Sequence, residues 1–397
     1  MPYRFIRDTN IKIPEGIISF EIALLDRDLS EDVDVSEYFR TLSIDELIIG
    51  SDDDEDSILY PSRQKIKLYL RDNQYFDALY WLDIFKTNEG YAKFWKNGSL
   101  YFEGQNNLEI VKYNLKSRTF SLEFIASLHK LKEIKADNYP PGINSQSLVR
   151  YDYMIKKILE QVNININSAY FIYPYIIKSG QNEITAPAHD CYIFSNHYFG
   201  SSRQSYFNTH ADVLKALVDN FACVGWVEYF NGLASFLMLP RRKTNSANIK
   251  EIKIIEYTSV DIVKGYDGIV IHMPNNIQHI IGNVGENLNN YHYYINCMAG
   301  YYPPNGNIHY SNVYIQSNVS GWNAKNPNHQ VGWLWELISS EIWSLVGKNR
   351  VRLRLKIDGT NYSLRDYISF NNRHFRIKQI RLNYVNSISE IDLIEAV

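Results

Sequence analysis

The chain has 397 residues, of which 45% are hydrophobic and 21% are charged, and its formal net charge is −3. These values are typical of a folded globular protein, and the near-neutral charge excludes the broad basic surface by which many proteins bind nucleic acid. The length exceeds the usual size of a single hydrophobic core, so we expect two or three domains.

Cysteine content and apolar runs argue against secretion and against a membrane span. The three cysteines are Cys191, Cys223 and Cys297, and an odd number does not fit a disulfide framework. Residues 1–16 contain no apolar signal-peptide core, and no apolar run is long enough to cross a bilayer. We therefore expect free thiols and a protein made in a cytoplasm.

Residues 1–135 predict an antiparallel β domain. Five runs have the composition of strands, namely residues 18–26, 64–72, 77–86, 108–115 and 119–128. In the last of these, apolar and polar residues alternate with the period of a half-buried strand. Residues 30–57 interrupt the strands with an acidic stretch, which predicts a loop or a short helix. The number of strands suffices for a barrel or a sandwich.

The stretch FWKNGSLYFEG (94–104) predicts a β-hairpin. Asn97 and Gly98 favour a type I′ turn, because both central residues of that turn need positive φ. In this register Trp95 lies opposite Leu100, and Phe94 lies opposite Tyr101. Apolar residues fall on both faces, so we expect the hairpin to be covered on both sides. The stretch VEYFNGLASFLM (227–238) predicts a second hairpin of the same kind.

The acidic stretch DDDEDS (52–57) has two interpretations. Its spacing of carboxylates resembles the start of a calcium-binding loop, but Ser57 stands at the sixth position in place of Gly and Arg63 at the twelfth in place of Glu. A solvated acidic loop is the simpler interpretation. Asp52, Asp53 and Asp54 are nevertheless candidate contacts for a partner protein.

Residues 136–265 predict an α+β domain. The Pro- and Gly-containing stretch 136–147 marks the boundary, and an apolar stripe predicts a helix over 147–162 that Ser145 or Ser147 caps. A second helix is predicted over 209–221, where Thr209 and Asp212 form a near capping box. A strand is expected at 249–257.

The stretch PRRK (240–243) predicts a basic loop after the second hairpin. The simpler interpretation is a solvated turn. The functional interpretation is that Arg241, Arg242 and Lys243 contact an acidic partner surface or a phosphate backbone.

Residues 266–397 predict a second β domain. Strands are expected at 268–273, 291–297, 312–317, 351–359, 366–385 and 387–395, and residues 331–347 favour a helix that Gly347 ends. Arg352, Arg354 and Lys356 share one face of a strand, which fits ordinary amphipathic patterning or the wall of a polar channel. The fold class is therefore mainly β with an α+β middle part, divided into 1–135, 136–265 and 266–397.

Motifs for catalysis are missing from the sequence. It contains no H-E-x-x-H, no G-x-S-x-G, no Walker loop and no G-x-G-x-x-G. His189, Cys191, His197 and His210 lie near one another along the chain, but their spacing matches no standard zinc pattern. We assign no catalytic residue, no cofactor and no metal ligand, and expect no enzymatic activity.

A family resemblance rests first on residues 91–133. This segment resembles part of phage tail hub proteins, in which a strand, an Asn/Asp-Gly turn and a strand ending in F-x-G precede two long strands. The matching residues here are Asn97, Gly98, Phe102 and Gly104, followed by a turn over 116–119.

Two further segments carry the same resemblance in the expected order. Residues 210–242 are similar to the helix-then-hairpin of the middle region of these hubs, and residues 366–395 are similar to their closing β ribbon. The family comprises the baseplate hubs of contractile-tailed phages and the N-terminal domain of siphophage tail-associated proteins. The length fits a hub without an appended fibre or lysis domain.

The resemblance implies a structural role at a tail tip. It implies two β-barrel-like domains of the phage tail hub type and a homotrimer whose pseudo-sixfold ring joins the hexameric tail tube to a threefold spike or fibre. The expected partners are other copies of the chain, the tail tube or distal tail protein, the spike or fibre protein and the tape measure protein, with DNA only in transit. It also implies assembly in the bacterial cytoplasm, in a phage or a phage-like particle.

Two other interpretations remain open from the sequence. A distal tail protein would form a hexameric ring from one β-barrel and an inserted module. A carbohydrate-binding or cell-wall-degrading tail-tip enzyme would use Trp322, Trp333, Trp335 and Trp343 to stack on sugar rings, or His189, Cys191 and His210 in a peptidase. The carboxylates nearest the tryptophans, Glu336 and Glu341, fall on different faces of the predicted helix.

Overall fold

The fold is dominated by one sheet of 15 strands that takes strands from both ends of the chain. The computed structural model describes residues 2–50, 59–71, 78–145, 148–166, 176–179, 182–185, 192–241, 248–272, 278–282, 292–296, 301–302, 325–326, 329–330, 332–333 and 342–396. The predicted fold class, mainly β with an α+β middle part, is confirmed.

The described residues of the first third of the chain form ten strands and one α-helix. They are β1 (Tyr3–Ile13), β2 (Gly16–Leu25), β3 (Val33–Asp34), β4 (Phe39–Ile49), β5 (Leu59–Tyr60), β6 (Ser62–Leu70), α1 (Ala78–Thr87), β7 (Gly90–Lys96), β8 (Ser99–Asn106), β9 (Lys112–Asn114) and β10 (Thr119–Ala126). Every second residue of β6 is buried, so this strand has one face in a core and one face toward solvent.

The middle of the chain mixes helices with short strands. They are β11 (Leu148–Arg150), α2 (Tyr151–Glu160), β12 (Asn165–Ile166), β13 (Ile176–Ser179), β14 (Asn182–Thr185), β15 (Tyr192–Phe194), α3 (His210–Asp219), β16 (Cys223–Phe230) and β17 (Leu233–Pro240). Helix α3 starts with the predicted capping box, in which Thr209 and Asp212 bond to each other's backbone N–H groups. Helix α2 starts instead at Arg150 without a side-chain cap, so the predicted serine cap is wrong.

The last third returns to strands. They are β18 (Asn248–Lys250), β19 (Ile254–Val263), β20 (Gly268–His272), β21 (Gln278–Gly282), β22 (His292–Asn296), β23 (Tyr301–Tyr302), β24 (Lys325–Asn326), β25 (His329–Gln330), β26 (Gly332–Trp333), β27 (Arg350–Asp358), β28 (Asp366–Phe370), β29 (Arg373–Asn383) and β30 (Ile388–Glu395). A helical turn covers 342–346, within the stretch where a helix was predicted. The predicted strand 312–317 lies outside the described residues.

The two ends of the chain meet where β4 pairs with β29. Ile49 lies opposite Ile380, and Leu47 lies opposite Leu382. The sheet then runs in the order β19-β27-β30-β29-β4-β6-β10-β8-β7-β2-β1-β3. N-terminal and C-terminal strands therefore belong to one hydrogen-bonded sheet.

The N-terminal strands curl toward a barrel-like arrangement. From β4 the hydrogen-bonded order continues through β6, β10, β8, β7 and β2 to β1. The short β3 then pairs with β1 at Arg4 and Phe5. The hydroxyl of Thr41 in β4 donates to the carboxylate of Asp8 in β1 over 2.6 Å. Side chains therefore join the two ends of this run of strands.

The C-terminal strands form a second barrel-like arrangement. The segment 248–263 pairs with two different strands, since its first part, β18, pairs with β28 and its second part, β19, pairs with β27. Strands β28, β29, β30 and β27 are paired in that order. The chain between β18 and β19 therefore connects the two sides of this group of strands.

The described residues form two hydrophobic cores. The sheet core takes its residues from the N-terminal strands, from the C-terminal strands and from β16 and β17. The middle core extends from Leu128 to Val346 and includes α2, α3 and β20. Residues of the predicted domain 266–397 therefore divide between the two cores. The boundaries proposed for independently folding units stay a prediction.

Two element predictions in the N-terminal region are wrong. The predicted strand 77–86 is helix α1, whose buried residues Ala78, Trp81, Ile84 and Phe85 have helical spacing. The predicted acidic loop or helix over 30–57 contains the eleven-residue strand β4. Two register shifts in the pairing of β4 with β6 break the alternation by which a strand is recognised.

Both Asn-Gly hairpins are confirmed, but the register of the first is shifted. Asn97 and Gly98 have φ of 51° and 78°, as a type I′ turn requires. Trp95 lies opposite Leu100 as predicted, whereas Phe94 lies opposite Phe102 because of a bulge next to Trp95. The predicted pairing of Phe94 with Tyr101 is therefore wrong.

Candidate functional site

The hairpin β16–β17 lies between the two hydrophobic cores. On one of its faces Val224, Trp226 and Leu237 belong to the sheet core. On the other face Val227 and Phe236 belong to the middle core. Successive side chains of a strand point to opposite faces, so one hairpin can contribute to both cores. This second hairpin is therefore packed against other residues on both of its faces, as was expected for the first hairpin.

The tip of this hairpin is fixed to strand β8. The hydroxyl of Tyr229 donates to the backbone carbonyl of Glu103 over 2.9 Å and accepts from the backbone N–H of Glu103 over 2.9 Å. Burial raises the pKa of Tyr229 well above its ordinary value, so the phenol stays neutral and can both donate and accept. This contact ties the middle of the chain to the N-terminal strands.

A half-open cavity of about 570 Å³ lies where the N-terminal strands, the hairpin and the C-terminal strands meet. Glu228 of β16 is its central acidic group. The carboxylate of Glu228 accepts from the indole N–H of Trp226 over 2.9 Å and from the hydroxyl of Ser363. The Nε atom of Arg365 lies 3.2 Å from the same carboxylate. Charge pairing therefore fixes the hairpin to the loop before β28.

A second ion pair closes another part of the cavity wall. The ammonium group of Lys250 lies 3.0 Å from the buried carboxylate of Asp366 and donates to the carbonyl of Asn361 over 2.6 Å. Asp366 also accepts from the backbone N–H of Ser363 over 2.9 Å. Both carboxylates of the cavity thus bind neighbouring groups of the same chain, and the cavity is built as a structural junction.

Glu15 forms a second junction between the ends of the chain. Its carboxylate lies in the turn between β1 and β2 and accepts from the ammonium group of Lys96 and from the hydroxyls of Thr360 and Ser387. Burial opposes ionisation of Glu15, but these hydrogen bonds outweigh it and lower the pKa to about 2. The carboxylate is therefore ionised throughout the neutral pH range and connects the two barrel-like groups of strands.

Aromatic side chains extend this junction. The Lys96 ammonium lies 4.7 Å from the ring centroid of Tyr384, and the rings of Tyr384 and Tyr101 meet edge to face at 5.2 Å. Burial raises the pKa of both tyrosines, so they remain neutral. Strands β7 and β8 and the turn after β29 are thereby held together by packing as well as by charge.

Arg241 is buried rather than exposed in a loop. Its side chain is 3% exposed and lies 2.6 Å from the carboxylate of Asp219, at the end of α3. The hydroxyl of Tyr293 also lies 2.6 Å from the guanidinium. The interpretation of Arg241 as part of a solvated turn is therefore wrong. Its role as a partner contact stays a prediction, but the contacts of its buried side chain are within the chain.

The other predicted partner contacts are five charged residues. Arg242, Lys243, Asp52, Asp53 and Asp54 lie outside the described residues. Their contacts with a partner stay predictions.

The residues considered for catalysis are partly described. His210 is a core residue whose Nδ1 lies 2.8 Å from the Gln161 amide and whose Nε2 lies 2.9 Å from the Asn138 carbonyl. Burial lowers the pKa of His197 to about 4. His189 and Cys191 lie outside the described residues. Within the described part of the chain, no group of three or more His, Cys, Asp or Glu residues could hold a metal ion.

The residues considered for sugar binding are also partly described. Trp343 packs against the middle core, and the main chain of Trp333 belongs to β26. Trp322, Trp335, Glu336 and Glu341 lie outside the described residues. Among the helices that are described, none has the length and apolar character needed to cross a membrane.

The charged strand face considered as a channel wall is mostly paired. The guanidinium of Arg352 is buried and donates to Asp392 of β30 from its Nε over 2.9 Å. Arg354 lies 3.6 Å from the same carboxylate, and Lys356 lies 3.0 Å from Glu256. These pairs hold β19, β27 and β30 together.

Strand β19 carries apolar side chains at the surface that the sequence reasoning missed. Ile255, Tyr257, Val260 and Ile262 are all more than half exposed. The signal that could have found them is the run IIEYTSVDIV, which is rich in β-formers. Two register shifts in its pairing with β27 hide the regular alternation.

The sequence comparisons, with protein-family models and with curated proteins, found no match. No protein-family model matches the chain, and no curated protein sequence matches it.

Several solved structures align with most of this chain at low sequence identity. The tail protein from Neisseria meningitidis MC58 is 10% identical with a TM-score of 0.44, over 90% of this chain and 95% of that one. The prophage MuSo2 43 kDa tail protein from Shewanella oneidensis is 8% identical with a TM-score of 0.45, over 89% and 96%. The E. coli c3393 protein, described as a type VI secretion component structurally similar to T4 bacteriophage tail proteins gp27 and gp5, is 6% identical with a TM-score of 0.39, over 94% and 76%.

Proposed function

We propose that this chain is a structural protein of a phage tail or a phage-like particle, and that it acts as a baseplate or tail-tip hub. The observation that carries the proposal is the pairing of two barrel-like groups of strands within one sheet, through β4 and β29. The sequence resemblance implies two such domains in each chain. A distal tail protein, with one barrel and an inserted module, fits this arrangement less well.

The two barrel-like groups suit an adaptor between different symmetries. A chain with two similar domains contributes two positions to a ring, so three chains supply six. Such a trimer matches a hexameric tail tube on one side and a threefold spike or fibre on the other. Closed cyclic assemblies of this kind use head-to-tail contacts between identical chains.

The junctions described above supply the rigidity that an adaptor needs. Glu15, Tyr229 and Glu228 each connect elements that are far apart in the sequence. A ring that transmits force between tube and spike requires its domains to move as one body. In this proposal the polar junctions have a mechanical role and the chain is not an enzyme.

The proposal also names a place and partners. The hub lies at the tail tip and surrounds the channel through which DNA passes, so DNA contacts it only in transit. The tail tube or distal tail protein lies above it, and the spike or fibre protein and the tape measure protein are its other neighbours. Assembly takes place in the bacterial cytoplasm.

Deletion of the encoding gene in a particle-producing strain tests the proposal. Loss of complete tails in electron micrographs, restored by a plasmid carrying the wild-type gene, is the expected result. Complete tails in the deletion strain would overturn the proposal.

A further inference from the structure

Strand β19 ends the long sheet and has one free edge. Within the described residues it pairs only with β27, along Ile254 to Val263. Its outer edge therefore presents backbone donors and acceptors to solvent. An open edge of this kind is a template for pairing with a strand of another molecule.

The apolar face of β19 extends the sheet core into solvent. Tyr257 and Val260 lie opposite Leu355 and Leu353 of β27, and Ile262 lies opposite Val351. Leu353 and Leu355 are 4% and 1% exposed, whereas Val260 and Ile262 are 63% and 76% exposed. The hydrophobic face thus continues from the buried residues of β27 to exposed residues of β19. A contiguous exposed row of this kind is typical of an interaction surface.

The free edge of β19 has two of the features that discourage pairing, register shifts and charged side chains, but it lacks two others. Its sequence, IIEYTSVDIV, contains neither proline nor lysine, the residues by which many proteins block their edge strands. Its charged residues are Glu256 and Asp261, and both are exposed. A strand that pairs with β19 should therefore present apolar side chains and a positive charge.

The opposite end of the same sheet offers such a strand. Strand β3 covers β1 only at Arg4 and Phe5, so among the described residues the edge of β1 over 9–13 has no strand on its outer side. This stretch contains Ile11 and Ile13, which are partly buried, and the exposed Lys12. It carries no carboxylate, so its charge is complementary to that of β19.

We infer that β19 of one copy of this chain pairs with the free part of β1 of a second copy. The contact joins two different edges of one sheet, so it is head-to-tail and can close into a ring. It would cover Val260 and Ile262 and bring Lys12 near Asp261. This inference rests on the proposed function, because a ring of identical chains is what a hub requires.

The first experiment measures the mass of the purified full chain by light scattering over a range of concentrations. The variant Ile262→Lys places a charge in the exposed row, and Leu79→Lys in helix α1 is the matched control, because Leu79 is 77% exposed. We expect wild type and Leu79→Lys to form the same oligomer and Ile262→Lys to be monomeric, with unchanged circular dichroism in all three. An oligomer that Ile262→Lys leaves intact, or a wild type that stays monomeric at every concentration, overturns the inference.

The second experiment tests the pairing of the two edges directly. In the double variant Lys12→Cys/Asp261→Cys, mild oxidation should produce a ladder of covalent oligomers on a denaturing gel. Each single variant and the wild type, treated alike, should give no ladder. Absence of a ladder in the double variant overturns the pairing. The deletion test under Proposed function is independent of β19, so loss of complete tails there would leave the hub proposal standing even if this inference fails.

Discussion

Glu15 and Ser387, which are 372 positions apart in the sequence, are joined by a 2.9 Å hydrogen bond from the serine hydroxyl to the carboxylate. The same carboxylate binds Lys96 and Thr360. The turn between β1 and β2 is therefore connected to the loop after β27 and to the turn between β29 and β30. This one acidic residue holds the two barrel-like groups of strands against each other at a point away from the β4–β29 pairing.

Substitution Glu15→Gln should destabilise the protein at neutral pH by about 1–3 kcal/mol, because charged hydrogen bonds are lost at a partly buried site. The pKa of Glu15 is lowered from 4.5 to about 2 in the folded protein. Its stabilisation is complete above the unfolded-state pKa and is lost as the pH falls through the folded-state pKa. The difference between wild type and Glu15→Gln should therefore shrink between pH of about 4.5 and about 2. Urea unfolding across this pH range measures it.

Asp358→Asn is the matched control for Glu15→Gln. Asp358 also pairs with a lysine, Lys253, at 2.9 Å, but both side chains are largely exposed. Its loss should cost less than about 1 kcal/mol. Equal effects of the two substitutions at neutral pH would contradict the role assigned to Glu15.

Substitution Arg241→Met should destabilise the monomer by about 3–5 kcal/mol, because it leaves the carboxylate of Asp219 buried without its cationic partner. Charge reversal at Arg241 is therefore expected to unfold the chain, and it is not suited as a test of docking. Arg354→Met is the control, since Arg354 is 46% exposed and lies 3.6 Å from its carboxylate. Thermal unfolding followed by circular dichroism compares the two, and similar melting temperatures would count against the prediction.

Substitution Tyr229→Phe should cost about 1–3 kcal/mol, because two partly buried backbone groups of Glu103 lose their partner. The contact joins the middle part to the N-terminal strands, so limited proteolysis should cut the variant faster between these parts. Tyr294→Phe serves as the comparison, since Tyr294 is 55% exposed. If both variants resist protease as the wild type does, the tyrosine does not join the two parts.

Substitution Gly104→Ala should destabilise the first hairpin by about 1–3 kcal/mol, the usual cost of overpacking a core. A Cβ atom at Gly104 would lie 2.6 Å from the carbonyl oxygen of Ile125. Gly98→Ala should cost about 1 kcal/mol, because its φ of +78° is strained for alanine although the space around it is open. Urea midpoints that fall in the reverse order would contradict this assignment.

The sequence predicted elements well wherever a local signal agreed with the packing. Asn97-Gly98 marked the first hairpin, because asparagine and glycine adopt positive φ at little cost. Thr209 and Asp212 marked the start of α3, since the capping box is formed by residues three positions apart. The fold class followed from these elements.

The failures have physical causes in particular residues. In α1 the apolar side chains of Leu79 and Tyr80 are exposed. They stand between the buried positions of the helix, so the apolar residues form a nearly continuous run that resembles a strand. Bulges disrupted the alternation of β4 and β19. The burial of Arg241 depends on Asp219 and Tyr293, which come from distant parts of the sequence, and no local pattern carries that information. For the same reason the Glu15 junction could not be predicted.

The most direct test of the central claim is quantitative mass spectrometry of purified particles, combined with electron microscopy of their tail tips. If the chain is a trimeric hub, it should be present at three copies per particle, and density for it should form a threefold ring between the tube and the spike. Absence of the chain from particles with complete tails would contradict the account.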